Sequence, residues 1–187
     1  MQDRIICLVG KSGTGKTTIA KTLEEEFGLE VIHSYTTRPR RPGENWGHIF
    51  SDRGRLFQLK RESPEFIISE VYYNNEYYWS ETWQYKNKGT SVYVIDPRGV
   101  EELKKNVKDA EIIVIYLYCN TRKRLKRIIS RGESRRKARE RATLDKTFFK
   151  EIDQKQNYDL AINTEENPYV CANKIMRFIE DDNFCPS

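Results

Sequence analysis

The chain has 187 residues, of which 37% are hydrophobic, and a formal net charge of +5; this length suits a single domain with a well-buried core. It contains no run of about 18 apolar residues, which excludes a transmembrane helix, and residues 1–4 lead directly into an apolar run, so we expect no secretory signal and a cytoplasmic protein. Eleven basic residues lie between positions 121 and 141 against Glu133 and Glu140, so this segment carries +9 and the remainder −4. The segment suits a polyanionic ligand, but the chain as a whole is not typical of a nucleic-acid-binding protein.

The first predicted elements enclose a glycine-rich loop. Residues 5–9 form a short apolar run typical of a buried parallel strand, and residues 17–27 carry apolar side chains at helical spacing. Residues 10–17 read GKSGTGKT, which matches the P-loop pattern G-x-x-x-x-G-K-[ST]. Its glycines allow several backbone N–H groups to point into one concavity at a helix N-terminus, where the helix dipole favours anions. We therefore predict a nucleotide-phosphate site in which Lys16 reaches the terminal phosphates and Thr17 holds Mg²⁺.

A basic loop follows the second predicted strand, which spans residues 30–33. Residues 34–44 read SYTTRPRRPGE, with Arg38 and Arg41 three positions apart. Guanidinium groups match phosphate oxygens, so the two arginines can converge on one phosphate. A solvated basic loop is the alternative interpretation, since charged runs are commonly exposed.

Residues 46–85 depart from the pattern of a parallel sheet. They are rich in aromatic and β-branched residues, with turn signals at 52–54 and 74–75. This composition predicts a small mixed or antiparallel insert.

Strand-like and helical patterns alternate over the remainder of the chain. Strands are predicted at 91–95, 111–118 and 160–163, and helices at 98–107, at 121–131, from 134 to about 156, and from 168 onwards. This alternation predicts a parallel α/β sheet flanked by helices. In the helix at 121–131 we expect Leu125, Ile128 and Ile129 to face the core, which leaves several of its basic residues in solvent.

The basic loop and the P-loop together resemble the guanylate kinase family. In that family the P-loop is followed about 20 residues later by S-x-[ST]-T-R-x-x-R-x-G-E, which this chain has as Ser34, Thr36, Thr37, Arg38, Arg41, Gly43 and Glu44. Further resemblances occur in order at 65–67 with Glu70, at 77–80, at 94–100, at Arg131-Gly132 with Arg141, and at 158–163. The resemblance therefore covers nearly the whole chain.

The resemblance implies an α/β P-loop kinase fold and Mg²⁺-dependent phosphoryl transfer from ATP to GMP and dGMP. A parallel β-sheet core flanked by helices would comprise residues 1–33, 89–130 and 157–187, with a small mixed-β acceptor-binding insert at about 34–88 and a basic helical lid at about 131–156. The residues implied to bind ATP are Gly10, Ser12, Gly13, Thr14, Gly15, Lys16, Thr17, Thr18 and Asn163. Those implied to bind the acceptor are Ser34, Arg38, Arg41, His48, Glu70, Tyr78, Ser80 and Asp96. The implied catalytic residues are Lys16, Arg38, Arg131 and Arg141, and the implied metal ligands are Thr17 and, through water, Asp96.

A carboxylate facing the base would explain a choice of guanine. Guanine presents its N1–H and 2-amino donors on one edge, and a carboxylate such as Glu70 or Asp96 accepts both. Adenine lacks this pair of donors, so the carboxylate would stay partly unpaired and adenine would be rejected. The alternatives are that Glu70 is a surface strand residue and that Asp96 caps the helix that follows it; capping is compatible with ligand binding.

The chain departs from the family pattern in the acceptor site. The loop from 47 to 50 is shorter and lacks a phosphate-contacting tyrosine, so His48 is the nearest substitute, although a lone histidine in a loop is more often exposed to solvent. Pro39 biases Arg38 toward an extended backbone. Trp79 replaces a glycine and is expected to narrow or reshape the base pocket. Asp96 is the only carboxylate on its strand, so it serves either Mg²⁺-bound water or the acceptor.

Three alternatives to a GMP kinase stay open. The first is a kinase of the same fold with another nucleotide or a sugar phosphate as acceptor. The second is a non-catalytic interaction module of the same family, which would usually have a degraded P-loop, whereas Gly15, Lys16 and Thr17 are intact here. The third is a nucleic-acid-binding protein, which the negative charge outside residues 121–141 disfavours. A monomer and a homodimer are both compatible with the sequence.

Overall fold

Strands and helices alternate along the chain in the computed structural model, which describes residues 2–41, 43–150 and 157–181. The strands are β1 (Asp3–Val9), β2 (Glu30–Ile32), β3 (Ser34–Thr36), β4 (His48–Phe50), β5 (Ile67–Tyr73), β6 (Glu76–Glu81), β7 (Thr90–Val94), β8 (Ala110–Tyr118) and β9 (Leu160–Asn163). The helices are α1 (Lys16–Phe27), α2 (Arg53–Glu62), α3 (Pro97–Asn106), α4 (Thr121–Ser130), α5 (Arg135–Phe148) and α6 (Pro168–Glu180). The chain divides into a first unit, residues 1–7 with 29–112, and a second unit, residues 8–28 with 113–187.

A five-stranded sheet with the order β2-β7-β1-β8-β9 confirms the predicted α/β core. In the first unit, β2 runs parallel to β7, with Val31 opposite Val92. In the second unit, β8 runs parallel to β9, with Tyr116 opposite Ala161. Residues 5–9 of β1 are fully buried. A strand covered on both faces needs apolar side chains on both faces, which is why β1 reads as a continuous apolar run.

Helix α6 begins where its capping residues predict. The Asn167 side chain accepts the N–H of Tyr169 at 2.8 Å, and Pro168 occupies the first turn, where its missing N–H costs nothing. The helix then buries Cys171, Ala172, Ile175 and Ile179 along one face.

The insert lies in the first unit as a four-stranded mixed sheet with the order β4-β3-β6-β5. Strand β3 is parallel to β4 and antiparallel to β6, and β5 and β6 form an antiparallel hairpin. Asn74 and Asn75 make the hairpin turn with φ angles of 51° and 65°, which asparagine tolerates better than most residues. The predicted mixed sheet and the turn at 74–75 are confirmed.

The predicted turn at 52–54 is wrong, because these residues begin α2. The Asp52 carboxylate accepts the N–H of Arg55 at 2.9 Å and so caps the helix. Turns and helix N-termini use the same residue types, so composition does not separate them. Helix α2 packs on the insert through Leu56, which is fully buried in a cluster with Tyr35, Ile67 and Trp79.

Trp79 belongs to this apolar cluster, contrary to the expectation that it reshapes the base pocket. Its ring is fully buried and stacks on Tyr35 with the ring centroids 5.1 Å apart. In the hairpin Trp79 pairs with Glu70, whereas Ser80 pairs with Ser69. Successive residues of a strand point to opposite faces. Trp79 and Glu70 therefore lie on the α2 face of the insert, and Ser69 and Ser80 lie on the other face.

Helix α4 buries a different set of side chains from the predicted one. Arg124 and Ile128 are buried, whereas Leu125 is half-buried and Ile129 is 37% exposed. Arg124 stands four residues before Ile128, so both lie on one face of the helix. The apolar stripe of α4 thus includes an arginine.

Helix α5 begins one residue after the predicted position. The hydroxyl of Ser134 accepts the N–H of Lys137 and caps it. The last part of the predicted span, residues 151–156, lies outside the described residues. Over the described ranges, every helix is too short or too polar to cross a membrane.

Candidate active site

The second unit holds the P-loop between β1 and α1. Gly13 and Gly15 have φ angles of 79° and 98°, a conformation that favours glycine. A Cβ at Gly13 would stand 2.7 Å from the carbonyl oxygen of Arg124, so α4 lies directly against the loop. Gly15 precedes α1, and Thr17 and Thr18 are exposed in the first turn of that helix. The loop therefore places its glycines at a helix N-terminus with hydroxyl groups beside it, which suits a phosphate group.

Lys16 lies against the P-loop itself. Its ammonium group donates to the carbonyl oxygens of Gly10 at 2.5 Å and Lys11 at 3.4 Å. Within the described residues, no cluster of three or more His, Cys, Asp or Glu side chains could hold a metal ion. Mg²⁺ in phosphate-transfer sites usually takes one or two protein groups, water and substrate phosphates. The role of Thr17 as the hydroxyl ligand stays a prediction.

A buried ion pair between Arg124 and Asp145 holds the tip of the P-loop. The two residues are only 6% and 8% exposed. The Asp145 carboxylate accepts the backbone N–H of Ser12 at 3.0 Å, its hydroxyl at 3.2 Å, and the guanidinium of Arg124. Arg124 Nε also donates to the Ser12 carbonyl at 2.9 Å. We name Ser12, Arg124 and Asp145 the loop clamp.

Arg127 and Thr164 make a second set of contacts with the P-loop. The guanidinium of Arg127 lies 3.4 Å and 3.3 Å from the carbonyl oxygens of Gly13 and Thr14 and donates to the carbonyl of Thr164 at 2.8 Å. The Thr164 hydroxyl donates to the carbonyl of Thr14. Backbone carbonyls of the loop are thereby satisfied from α4 and from the residue after β9, which leaves the loop's conformation strongly constrained.

Four of these P-loop contacts were not predicted from the sequence, namely those of Arg124, Arg127, Asp145 and Thr164. Most cations of α4 were expected in solvent, although the helical spacing of Arg124 and Ile128 is a signal that Arg124 shares the buried face. Asp145 and Thr164 contact loop residues 133 and 150 positions away in the chain. No local pattern identifies partners at such separations.

Asn163, implied to bind ATP, and Arg131 and Arg141, implied to be catalytic, are fully or partly exposed. Asn163 is exposed at the end of β9, and its side chain accepts the N–H of Glu165 at 3.1 Å. Arg131 is exposed at the end of α4, and Arg141 pairs with Glu133 at 3.0 Å. In the described part of the chain these contacts do not involve the P-loop, so the roles of the three residues stay predictions.

The basic loop lies in the first unit. Arg38 forms a bidentate ion pair with Glu44, in which Nη1 lies 2.8 Å from Oε2. The guanidinium carbon of Arg38 also lies 5.3 Å from the ring centroid of Phe50. The hydrogen bonds from Arg38 lower the pKa of Glu44 to about 2. Arg41 is exposed, and its backbone N–H donates to Glu44 at 3.1 Å. A phosphate that binds Arg38 therefore has to replace the Glu44 carboxylate.

A cavity of about 230 Å³ also lies in the first unit. Its walls are formed by Ser34, His48, Ser69, Val71, Tyr73, Tyr78, Tyr93, Val94, Ile95 and Asp96. Four residues implied to bind the acceptor thus share one cavity, namely Ser34, His48, Tyr78 and Asp96. A fifth, Ser80, reaches it through a hydrogen bond of 2.6 Å between its hydroxyl and that of Tyr93. We name this space the acceptor cavity.

Glu70 does not line the acceptor cavity, contrary to expectation. Its carboxylate pairs with Lys60 of α2 at 2.9 Å. Its neighbours Ser69 and Val71 line the cavity instead, because alternate residues of β5 point to opposite faces. Ser69 therefore stands where the sequence analysis expected a carboxylate.

His48 is a half-buried part of the cavity wall. Its ring hydrogen-bonds the backbone of Ser34, while its Nδ1 is buried and has no hydrogen-bond partner among the described residues. The ring meets Tyr78 edge to face, with the centroids 5.9 Å apart. Burial, and then the positive charge of Arg38, lower the pKa of His48. The lowered pKa favours the neutral imidazole, whose Nδ1 stays buried in the wall of the cavity.

Asp96 joins the acceptor cavity to α3. Its Oδ1 accepts the N–H of Gly99 at 2.8 Å, so it caps the helix, and its Oδ2 lies 3.6 Å from Arg98. The side chain is 43% exposed. One oxygen is thus committed to the cap, and the other stays accessible to a ligand or to water.

The chain is similar in sequence to proteins named guanylate kinase. Residues 6–147 match a family model described as an AAA domain. A guanylate kinase from Clostridium tetani is 31% identical over 163 residues, which cover 84% of this chain and 76% of that protein. A guanylate kinase from Oceanobacillus iheyensis is 34% identical over 138 residues, or 68% of this chain. The chain spans less than two thirds of several relatives, with 64% of the Oceanobacillus protein and 56% of a guanylate kinase from Aromatoleum aromaticum.

The fold is similar to that of a solved structure as well. A crystal structure of guanylate kinase from Anaplasma phagocytophilum aligns with a TM-score of 0.67 over 99% of this chain and 89% of that chain, at 19% identity. At this identity the likeness concerns the fold alone, and the kinship rests on the sequence relatives. On that evidence the chain belongs to the guanylate kinase family.

Proposed function

We propose that the chain transfers the γ-phosphoryl group of ATP to the phosphate of GMP or dGMP. The observation that carries this proposal is the intact P-loop, in which Lys16 and Thr17 are present and the loop clamp holds the tip. The acceptor cavity supports it further, because Ser34, Tyr78 and Asp96 lie together there. The relatives named guanylate kinase support the same acceptor.

Phosphoryl transfer depends mainly on positioning and on stabilising negative charge. An oxygen of the acceptor phosphate attacks the γ-phosphorus, the bond from that phosphorus to the bridging oxygen breaks, and ADP leaves with the electron pair. The attacking oxygen is already ionised, so no general base is needed. Mg²⁺, when bound, neutralises charge on the ATP phosphates, and the Thr17 hydroxyl is the group that would hold it.

Two basic side chains change partners in this proposal. Lys16 exchanges the carbonyl of Gly10 for a phosphate oxygen, and Arg38 exchanges Glu44 for the acceptor phosphate. Charge-assisted hydrogen bonds to phosphate oxygens replace the ones given up. Arg131 and Arg141 are the residues that we assign to the charge developing on the transferred group.

A kinase for another nucleoside monophosphate is the second candidate. It is favoured by the position of Glu70, which pairs with Lys60 on the α2 face and leaves Ser69 in the cavity wall. A serine hydroxyl does not select the two donors of guanine in the way that a carboxylate does.

The proposed function is tested by measuring ADP release from Mg²⁺-ATP with GMP, dGMP, AMP, CMP, UMP, dTMP and ribose phosphates as acceptors. We expect turnover with GMP and dGMP, and a loss of at least about 100-fold in Lys16→Ala. Lys105→Ala, which removes an exposed ammonium of α3, serves as the control and should match the unmodified protein. ATP binding without turnover on any acceptor would contradict the proposal and support an interaction module.

A further inference from the structure

Four hydroxyl groups meet around Tyr93, in and behind the wall of the acceptor cavity. The Tyr93 hydroxyl lies 3.2 Å from Ser34 Oγ and 2.6 Å from Ser80 Oγ, and it also hydrogen-bonds Ser69. Ser69 Oγ in turn donates to the carbonyl of Gly99 at 3.2 Å. All four hydroxyl-bearing residues are at least nine-tenths buried, and the resemblance to the family assigns no role to Tyr93. We name Ser34, Ser69, Ser80 and Tyr93 the hydroxyl cluster.

Carboxylates contribute little to this wall of the cavity. Asp96 is the only acidic residue among those that line it, and one of its oxygens already caps α3. Glu70 and Glu81 bind Lys60 and Arg55 of α2. Three members of the hydroxyl cluster, Ser34, Ser69 and Tyr93, line the cavity, so a base in it would meet hydroxyl groups on this wall where a carboxylate was expected.

Hydroxyl groups differ from a carboxylate in what they accept as partners. A carboxylate only accepts hydrogen bonds, whereas each hydroxyl can rotate to donate or to accept. Burial raises the pKa of Tyr93, so its hydroxyl keeps its proton and can take part in either direction. Ser69 is fixed as a donor by the Gly99 carbonyl, but the bonds of Tyr93 to Ser34 and Ser80 can run in either direction. Reversing these two bonds lets the cluster meet a carbonyl oxygen or an amino group on a base.

We propose that Tyr93 is the central base-reading residue of the acceptor site and that this site takes both 6-oxo and 6-amino purine monophosphates. The inference rests on the proposed nucleoside monophosphate kinase function and narrows its acceptor class. The cavity of about 230 Å³ is many times the roughly 10–15 Å³ of such space that holds one water molecule, so it can admit a ligand larger than water.

The first test compares kcat/KM for GMP and AMP at saturating Mg²⁺-ATP. A site built to pair with the donors of one base rejects its analogue by about 10⁴-fold, whereas we expect the two acceptors to differ here by less than about tenfold. A larger preference for GMP would overturn the inference and leave the proposed function intact. Turnover with no nucleoside monophosphate at all would overturn both.

The second test removes the Tyr93 hydroxyl by Tyr93→Phe. We expect KM for both purine monophosphates to rise about fivefold, because Ser34 and Ser80 lose their common partner, while KM for ATP stays unchanged. Tyr35→Phe is the matched control, since it also removes the hydroxyl of a buried tyrosine. The Tyr35 hydroxyl lies in the insert, away from the acceptor cavity, and accepts from Arg55 of α2.

Both variants are compared at temperatures well below their melting temperatures, so that folding does not affect the rates. If Tyr93→Phe leaves KM for GMP and AMP equal to those of Tyr35→Phe, Tyr93 does not read the base and the inference is overturned. A rise confined to Tyr93→Phe supports it.

Discussion

Substitution of Asp145 by alanine tests the loop clamp. The change removes the group that accepts the backbone N–H and hydroxyl of Ser12 and the guanidinium of Arg124. It also leaves the Arg124 charge without its carboxylate, in a side chain that is 7% exposed. Removing one partner of a buried ion pair costs about 3–5 kcal/mol, and Arg124 keeps its bond to the Ser12 carbonyl, so we expect about 3 kcal/mol. For a chain of this size the melting temperature should fall by about 6–12 °C.

Glu140→Ala is the matched control on the same helix. It removes the same charge from α5, but the Glu140 carboxylate forms an exposed ion pair with Arg136 at 3.5 Å. Exposed pairs of this kind contribute less than about 0.5 kcal/mol, so the melting temperature should change by no more than about 2 °C. The difference between the two variants then reports the loop clamp and not the change in net charge.

Kinetics separate a structural role of the loop clamp from a positioning role. Because Asp145 holds the tip of the P-loop, we expect Asp145→Ala to raise KM for ATP about tenfold and to leave KM for the acceptor nearly unchanged. Adding Arg124→Met to Asp145→Ala removes the unpaired charge, so the double variant should regain at least about 1 kcal/mol of stability.

Two results would refute this reasoning. Equal melting temperatures for Asp145→Ala and Glu140→Ala would mean that the buried pair contributes no more than an exposed one. An unchanged KM for ATP in folded Asp145→Ala would mean that the clamp does not position the loop for the nucleotide.

Three further predictions address other contacts. Thr164→Val keeps the side-chain shape but removes the hydroxyl that donates to the Thr14 carbonyl. We expect the free energy of unfolding in a urea titration to fall by about 1 kcal/mol and KM for ATP to rise, and an unchanged urea midpoint would contradict the contact. Glu44 has a pKa of about 2 against its usual 4.5, so its stabilising effect is complete above about pH 4.5 and is lost as the pH falls toward 2. Unfolding free energies measured between about pH 3 and pH 6 should therefore depend less steeply on pH in Glu44→Gln, and an identical slope would count against the Arg38 pair. Asp52→Ala should lower the free energy of unfolding by about 1 kcal/mol because α2 loses its cap, and Asp52→Asn should recover most of this stability in thermal melts. Equal stability of the two variants would rule out the cap.

Much of the fold could be predicted because its signals act over a few neighbouring residues. The P-loop carries its own turn glycines and the start of its helix within residues 10–17. Burial on both faces made β1 a continuous apolar run, and Asn74-Asn75 required a turn. Asp96 stands next to the helix that it caps. The same locality explains the failure at Asp52, where a cap and a turn share one composition.

The face of a strand could not be predicted with the same certainty. A register shift near Ile67 and Ser69 interrupts the pairing of β5 with β6, and a shift of one residue moves every side chain to the opposite face. The sequence pattern around Glu70 therefore could not decide which of two neighbouring residues faces the cavity. Pairing with β6 places Ser69 toward the acceptor cavity and Glu70 toward Lys60.

From the amino-acid order alone one can derive the P-loop, the succession of strands and helices, and the family resemblance, since each depends on motifs or periodicities a few residues long. Only the folded chain assigns partners to its charges: Arg124 to Asp145, Arg38 to Glu44, and Glu70 to Lys60. Electrostatic attraction depends on the distance between charges in space. The fold decides that distance, because it brings together groups as far apart in the chain as Ser12 and Asp145.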